Sequence, residues 1–252
     1  MRRVVAILSV VAFVWAMPVL AQLVKPAEGK HAANTANPKF EKDGTTIQKG
    51  FEARHKSFND RIKKGNVDLV FIGDSITQGW EGAGKEIWAK NYAGRNAVNL
   101  GIGGDRTEHV IWRLQNGNLD GVEPKVAVVM IGTNNSGGNA YTAQQIGEGI
   151  VEVVKTIQQK TPKTKILILA IFPRGDKPNP QREKNAEASK VAEKLVDNKQ
   201  VFFLDIGPKF LAEDGTLSKE IMPDLLHLSP KGYQIWADSI EAKLKELLGE
   251  KS

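Results

Sequence analysis

Beyond residue 45 the chain alternates between short apolar runs and longer stretches in which apolar residues return every three or four positions. The runs 67–72, 97–100, 126–131, 165–171 and 201–204 are almost continuously apolar, the pattern of strands buried on both faces. The periodic stretches predict helices over 46–64, 105–116, 142–160, 181–197 and 230–249. In the first of these, Ile47, Phe51, His55, Phe58 and Ile62 share one face, and Gly65 supplies a stop. Strands alternating with helices predict an α/β fold, a parallel sheet covered by helices on both sides. No internal repeat or low-complexity segment interrupts the pattern, so 46–252 is read as one domain.

The segment before it is different in kind. Arg2 and Arg3 precede an apolar stretch from Val4 to Trp15 that is short for a bilayer span, and Val19-Leu20-Ala21 precedes Gln22. Residues 1–21 therefore read as a signal peptide, with an uncleaved membrane anchor as the alternative. Export to a periplasm or the medium is the expected location, without a stable membrane span after cleavage. Residues 22–45 are polar, contain Pro26, Gly29, Pro38 and Gly44, and lack periodicity, so a flexible leader is expected there.

The 252 residues are 41% hydrophobic and 25% charged, enough apolar material for a full core. The chain has no cysteine, which excludes disulfides, a thiol nucleophile and thiolate metal sites, and fits a periplasm better than a small stapled secreted domain. The formal charge of +6 includes the two n-region arginines. The remaining lysines are dispersed and not interleaved with aromatics, so they read as solvated surface and no nucleic-acid partner is expected.

The stretch 70–79 carries the first candidate chemistry. An apolar strand ends in Gly73-Asp74-Ser75, which would put a serine at the carboxyl end of a buried strand, where open α/β sheets place their sites. Such a serine is also a common helix cap. A hydroxyl nucleophile needs a base. Of the four histidines, His31 falls in the leader and His55 on the apolar face of the first helix. His109 follows the Gly103-Gly104-Asp105 loop without a carboxylate placed by spacing to orient it. His227 stands three residues after Asp224 in a loop that ends at Pro230, so one turn can bring carboxylate and imidazole together. A local capping pair is the alternative for Asp224 and His227.

A serine nucleophile also needs donors for the oxyanion. The candidates are the backbone amide of Gly104, which no side chain obstructs, the side-chain amide of Asn134 in Gly132-Thr133-Asn134-Asn135, and the amide of Ser75 itself. Each loop is also explicable as a turn at a strand end. The pattern is not the Gly-x-Ser-x-Gly elbow of α/β-hydrolases, since position 77 is Thr and the acid lies beside the histidine in sequence. No metal or cofactor is expected: there is no paired-histidine helix or acidic ligand loop, and the glycines of 101–104 lack the lysine and hydroxyl residue of a phosphate loop.

Taken together, Gly-Asp-Ser, Gly104, Gly-Thr-Asn and Asp-x-x-His resemble the blocks of the SGNH, or GDSL-type, hydrolases. The strings Asn99-Leu-Gly-Ile-Gly-Gly-Asp-Arg-Thr-Glu-His-Val-Ile-Trp-Arg-Leu and Pro173-Arg-Gly-Asp-Lys-Pro-Asn-Pro are similar to those of the catalytic subunits of intracellular platelet-activating-factor acetylhydrolase. The resemblance implies a flavodoxin-like three-layer α/β/α sandwich on five parallel strands. It implies Ser75 as nucleophile, His227 as base, Asp224 as its partner, and Ser75, Gly104 and Asn134 as the oxyanion hole. It also implies a homodimer. The chain departs from those subunits in its export signal, its leader and the sequence Ile76-Thr77-Gln78-Gly79-Trp80 beside the serine.

The function expected is an exported serine esterase that hydrolyses carboxylic, foremost acetyl, esters through acyl-Ser75, with carbohydrate O-acetyl groups as substrate. A lysophospholipid or an acetylated lipid is the alternative substrate. A non-catalytic glycan-binding module is the alternative from another class, although a binding module has no use for all five site residues.

Overall fold

The structure, a computed structural model, describes residues 31–250. The expected signal peptide and residues 22–30 of the expected leader lie outside the described residues.

Five strands, β1 (Leu69–Gly73), β2 (Ala97–Gly101), β3 (Val126–Met130), β4 (Lys165–Leu169) and β5 (Val201–Leu204), form one parallel sheet in the order β2-β1-β3-β4-β5. The order reverses between β1 and β3, so a crevice opens at their carboxyl ends. Among the described residues seven α-helices accompany the sheet: α1 (Lys49–Ile62), α2 (Ser75–Gln78), α3 (Lys85–Asn91), α4 (Thr107–Arg113), α5 (Ala143–Lys160), α6 (Pro180–Glu193) and α7 (Pro230–Leu248).

Alternation along the strands divides the core. Val70, Ile72, Val98, Leu100, Ala127 and Val129 face one side, where α1, α4, α5 and α6 cover them. Leu69, Phe71, Val128, Met130 and Leu167 face the other, against α2, α3 and α7. Both faces are buried, which is why the strands read as continuous apolar runs. The result is the expected three-layer α/β/α sandwich.

The differences from expectation have local causes. The helix expected over 105–116 stops at Arg113 and unwinds through Leu114–Asn118, where Gly117 takes φ +115° and Asn118 turns inward to accept a hydrogen bond from Arg113 Nη1 at 2.8 Å. The helix expected to reach 197 ends at Glu193, because the Asp197 carboxylate accepts from the amides of Lys199, Gln200 and Val201 and starts β5 instead. The short helices α2 and α3 had no periodicity to announce them.

The flexible leader is corrected for residues 31–45. His31 hydrogen-bonds Glu148 of α5 at 2.6 Å, Ala33 is fully buried, and its carbonyl accepts from Thr107 Oγ1 at 2.7 Å. Phe40 then bridges Ile47 as an antiparallel pair. Polar, long-range contacts hold this segment, and a hydrophobic period does not report them.

Candidate active site

The site forms where β1, β2 and β3 end. Buried β1 delivers Gly73 to a turn so tight that a Cβ there would collide with Thr77 Oγ1 and the Met130 carbonyl. Asp74 caps α2 by accepting from the Ile76 amide at 2.9 Å, and Ser75 is the first residue of that helix. The fold needs the cap, and the cap leaves the next residue half-exposed in the crevice. Asp74 is fully buried, and its second oxygen has no hydrogen-bond partner among the described residues. Burial pushes its carboxyl up to about 7.

Asp224 and His227 meet across one turn. The His227 ring lies 2.6 Å from Asp224 Oδ2 through Nδ1 and 2.9 Å from Ser75 Oγ through Nε2. Both bonds are satisfied when Nδ1–H donates to the carboxylate and the Ser75 hydroxyl donates to Nε2. Asp224 Oδ1 also accepts from the amides of His227 at 2.7 Å and Leu226 at 3.0 Å. Burial opposes the Asp224 charge, but the bonds from the His227 ring and amides outweigh it and hold the carboxyl below its ordinary range. Leu225 supplies the bend with φ +62°, and its carbonyl accepts from the Gly175 amide at 2.8 Å. The pair stands in the open, with side chains 45% (His227) and 56% (Asp224) exposed.

The loops after β2 and β3 lie on the other side of Ser75. A Cβ on Gly103 would sit 3.9 Å from that of Ser75. Gly104 takes φ +71°, a conformation that favours glycine. Asn134 Nδ2 donates to the Asp105 carbonyl at 2.9 Å, and among the described residues its second hydrogen has no partner. Asn135 ties the loops more deeply, accepting from the Thr107 amide and donating to Glu108.

Beneath them Asp105 and Arg113 form a fully buried ion pair at 2.8 Å. Arg113 Nη2 also donates to the Gly73 carbonyl at 3.2 Å, so one guanidinium spans the Gly103–Asp105 loop and the strand end that carries Ser75. Burial raises the pKa of Asp105 against the pull of Arg113 and Lys39.

The structure thus joins Ser75, His227 and Asp224 by direct hydrogen bonds and sets Gly104 and Asn134 in the adjoining loops. His109 points elsewhere. Its Nδ1 accepts from the Arg106 amide, and burial, with the charges of Lys39, Arg106 and Arg113, pulls its pKa down to about 3. His55 is a core residue, as expected. Gln78, Lys39 and Arg174 were not singled out in the sequence. Gln78 Oε1 accepts from the Gly103 amide at 2.7 Å, Lys39 donates to the Gly103 carbonyl, and Arg174 Nη1 donates to Thr133 Oγ1 at 3.2 Å. Only the Pro173–Pro180 string gave a signal for Arg174. Among the described residues no group of three or more His, Asp or Glu could hold a metal ion.

Residues 71–235 match the GDSL-like Lipase/Acylhydrolase family. The chain belongs to that family. It is a carboxylic ester hydrolase of the GDSL, or SGNH, type. The hydrolase is 40% identical over 197 residues to platelet-activating factor acetylhydrolase IB subunit alpha1 of Homo sapiens, covering 78% of this chain and 83% of that one. It is 39% identical to subunit alpha2 of Rattus norvegicus, covering 79% and 85%. Its fold is shared with a GDSL-like lipase of Bacteroides thetaiotaomicron, at a TM-score of 0.60 and 20% identity over 77% of this chain and 97% of that one. An acetylxylan esterase of Geobacillus stearothermophilus also shares it, at 0.54 and 17% over 73% and 94%.

Proposed function

We propose that this hydrolase cleaves acetyl and other short acyl esters through a covalent acyl-Ser75. The observation that carries the reading is the unbroken chain Ser75 Oγ–His227 Nε2, Nδ1–Asp224. In it, His227 takes the proton as Ser75 Oγ attacks the ester carbonyl, and Asp224 stabilises the imidazolium. The amides of Ser75 and Gly104 and the free hydrogen of Asn134 Nδ2 receive the oxyanion. The proton passes from His227 to the departing alcohol. Water, activated by the same histidine, then releases the acid.

Substrate choice rests on the surroundings. Asp224 and His227 are open to solvent, and Gln78, Asn134 and Arg174 make the rim polar. An open polar rim suits a bulky hydrophilic alcohol carrying a small acyl group, and O-acetylated carbohydrate is our first reading. The identity to platelet-activating factor acetylhydrolase subunits favours a second, an acetylated phospholipid. Rates on acetylated oligosaccharides, on a phospholipid with a short acyl chain and on its long-chain homologue test both. Preference for the sugar esters supports the first reading. Preference for the short-chain lipid overturns it in favour of the second, and preference for the long chain removes the short-acyl reading altogether.

The export reading of residues 1–21 is tested by sequencing the amino terminus of the protein recovered outside the cytoplasm. A mature chain beginning at Gln22 supports it, and retention of Met1 in the cytoplasm contradicts it.

A further inference from the structure

Lys39 stands outside the Ser75–His227–Asp224 chain, yet it reaches the oxyanion loop from a segment that the sequence marks only as polar. Its Nζ donates to the Gly103 carbonyl at 2.7 Å and lies 3.6 Å from Asp105 Oδ1. The side chain is only 16% exposed. Its backbone is fixed as well: the Lys39 carbonyl accepts from the Gln48 amide at 2.8 Å, and the Asn37 amide donates to the Glu108 carbonyl at 3.1 Å.

The bond matters because of which carbonyl it holds. The Gly103 carbonyl and the Gly104 N–H belong to one planar trans peptide and point in opposite directions. Both flanking residues are glycine, so steric barriers to rotating this peptide are low. Among the described residues the bond from Lys39 is the one hydrogen bond this peptide makes, and the Gly104 N–H has no protein partner. A charged donor on the oxygen also polarises the amide and strengthens its N–H as a donor.

We propose that Lys39 is a positioning residue of the oxyanion hole: by holding the Gly103 carbonyl it aims and strengthens the Gly104 N–H that receives the developing charge. The placement costs solvation. Burial draws the Lys39 pKa below its ordinary value, against the pull of Asp105. There is little spare room, since a Cβ on Gly104 would come 3.1 Å from Nζ. The segment 31–47 is then part of the catalytic apparatus, the strap that carries this ammonium to the loop. The inference rests on the reading of Gly104 as an oxyanion donor.

The test is steady-state hydrolysis of an acetyl aryl ester by Lys39→Met, Lys39→Gln and Lys39→Arg, with a thermal melt of each. Lys42→Met, on the exposed turn of the same segment, is the control. Holding a donor matters less than the donor itself, so Lys39→Met should lose about tenfold in kcat, against roughly 10²–10³-fold for a deleted donor, with KM changed less than about twofold. Lys39→Arg should recover most of that loss, and Lys42→Met should match the wild type. Lys39→Gln keeps a neutral donor on a shorter stem. It should also lose kcat, and it carries the criterion if Lys39→Met does not fold.

Wild-type kcat in the neutral variants overturns the proposal, as does Lys39→Arg no better than they are, or a loss confined to KM. Ser75→Ala and Asn134→Ala run alongside. If both are impaired while the Lys39 variants are not, only the role of Lys39 falls. If either keeps full activity, the reading of the site falls with it.

Discussion

The loop that carries the proposed base and the loops that carry the proposed oxyanion donors flank the same serine but are held by opposite means. Residues 224–227 fold on themselves. Asp224 accepts from the Leu226 and His227 amides and from the imidazole, in a turn open to water. The 103–105 loop has little internal support. Gln78, Asn134 and Lys39 hold it from distant parts of the chain, and Arg113 holds it from eight residues along. A histidine that must accept and return a proton needs orientation and tolerates water. An oxyanion donor works by being fixed before the charge develops, which calls for rigidity from below.

The comparison predicts that changes at the serine and base abolish turnover and spare the fold, whereas changes beneath the oxyanion loop cost the fold itself. Ser75→Ala should give the largest effect, a loss of about 10⁴-fold or more in kcat, with an unchanged melting temperature, because the hydroxyl borders the crevice and leaves no core cavity. Retention of a substantial fraction of wild-type turnover would remove Ser75 as nucleophile.

Arg113→Met should come next, destabilising the protein by about 3–5 kcal/mol in denaturant titration, because it strands buried Asp105 and removes the bond to the Gly73 carbonyl. A stability within error of wild type would mean that the pair is not the loop's foundation.

Asn134→Ala should lower kcat about 10²–10³-fold with a much smaller change in KM, since in the proposed mechanism its second hydrogen serves the transition state. A raised KM at unchanged kcat would make it a ground-state contact.

The smallest effect concerns pH. His109 beneath the loop is held down to about 3 by burial first, then by the charges of Lys39, Arg106 and Arg113. From an unfolded value of 6.5 this is a depressed pKa, so the unfolded chain binds the extra proton first on acidification. Its contribution to stability is present above 6.5 and is lost as pH falls toward about 3. His109→Gln, which keeps an acceptor for the Arg106 amide, should therefore lose less melting temperature than wild type between about pH 7 and about pH 4. Asp74, raised to about 7, works in the opposite sense and is common to both proteins, so the difference isolates His109. Parallel curves would show that His109 does not titrate as its burial requires.

The same contrast governs what the sequence discloses. Asp224 and His227 were legible because their relation is local, three residues and one turn. The strands were legible because burial on both faces leaves little that is polar in them. Ser75, Gly104 and Asn134 were legible as strand-end residues, since the sheet alone brings strand ends together.

Lys39 was hidden: it reaches the Gly103 carbonyl from 64 positions away, through polar contacts that follow no period. The Asp105–Arg113 pair was hidden for a related reason. A spacing of eight on a charged stretch looks like solvated surface until the fold closes over it. The left-handed Leu225 could not be read at all, because nothing about leucine asks for φ +62°.

The central claim is that ester hydrolysis runs through a covalent bond to Ser75. Inactivating the protein with an alkyl fluorophosphonate and mapping the adduct by peptide mass spectrometry tests it most directly. The account predicts one adduct per chain, on Ser75, formed at the rate at which activity is lost and absent from His227→Ala on the same timescale. Loss of activity with Ser75 unmodified, or an adduct on another residue that tracks the loss, would contradict it.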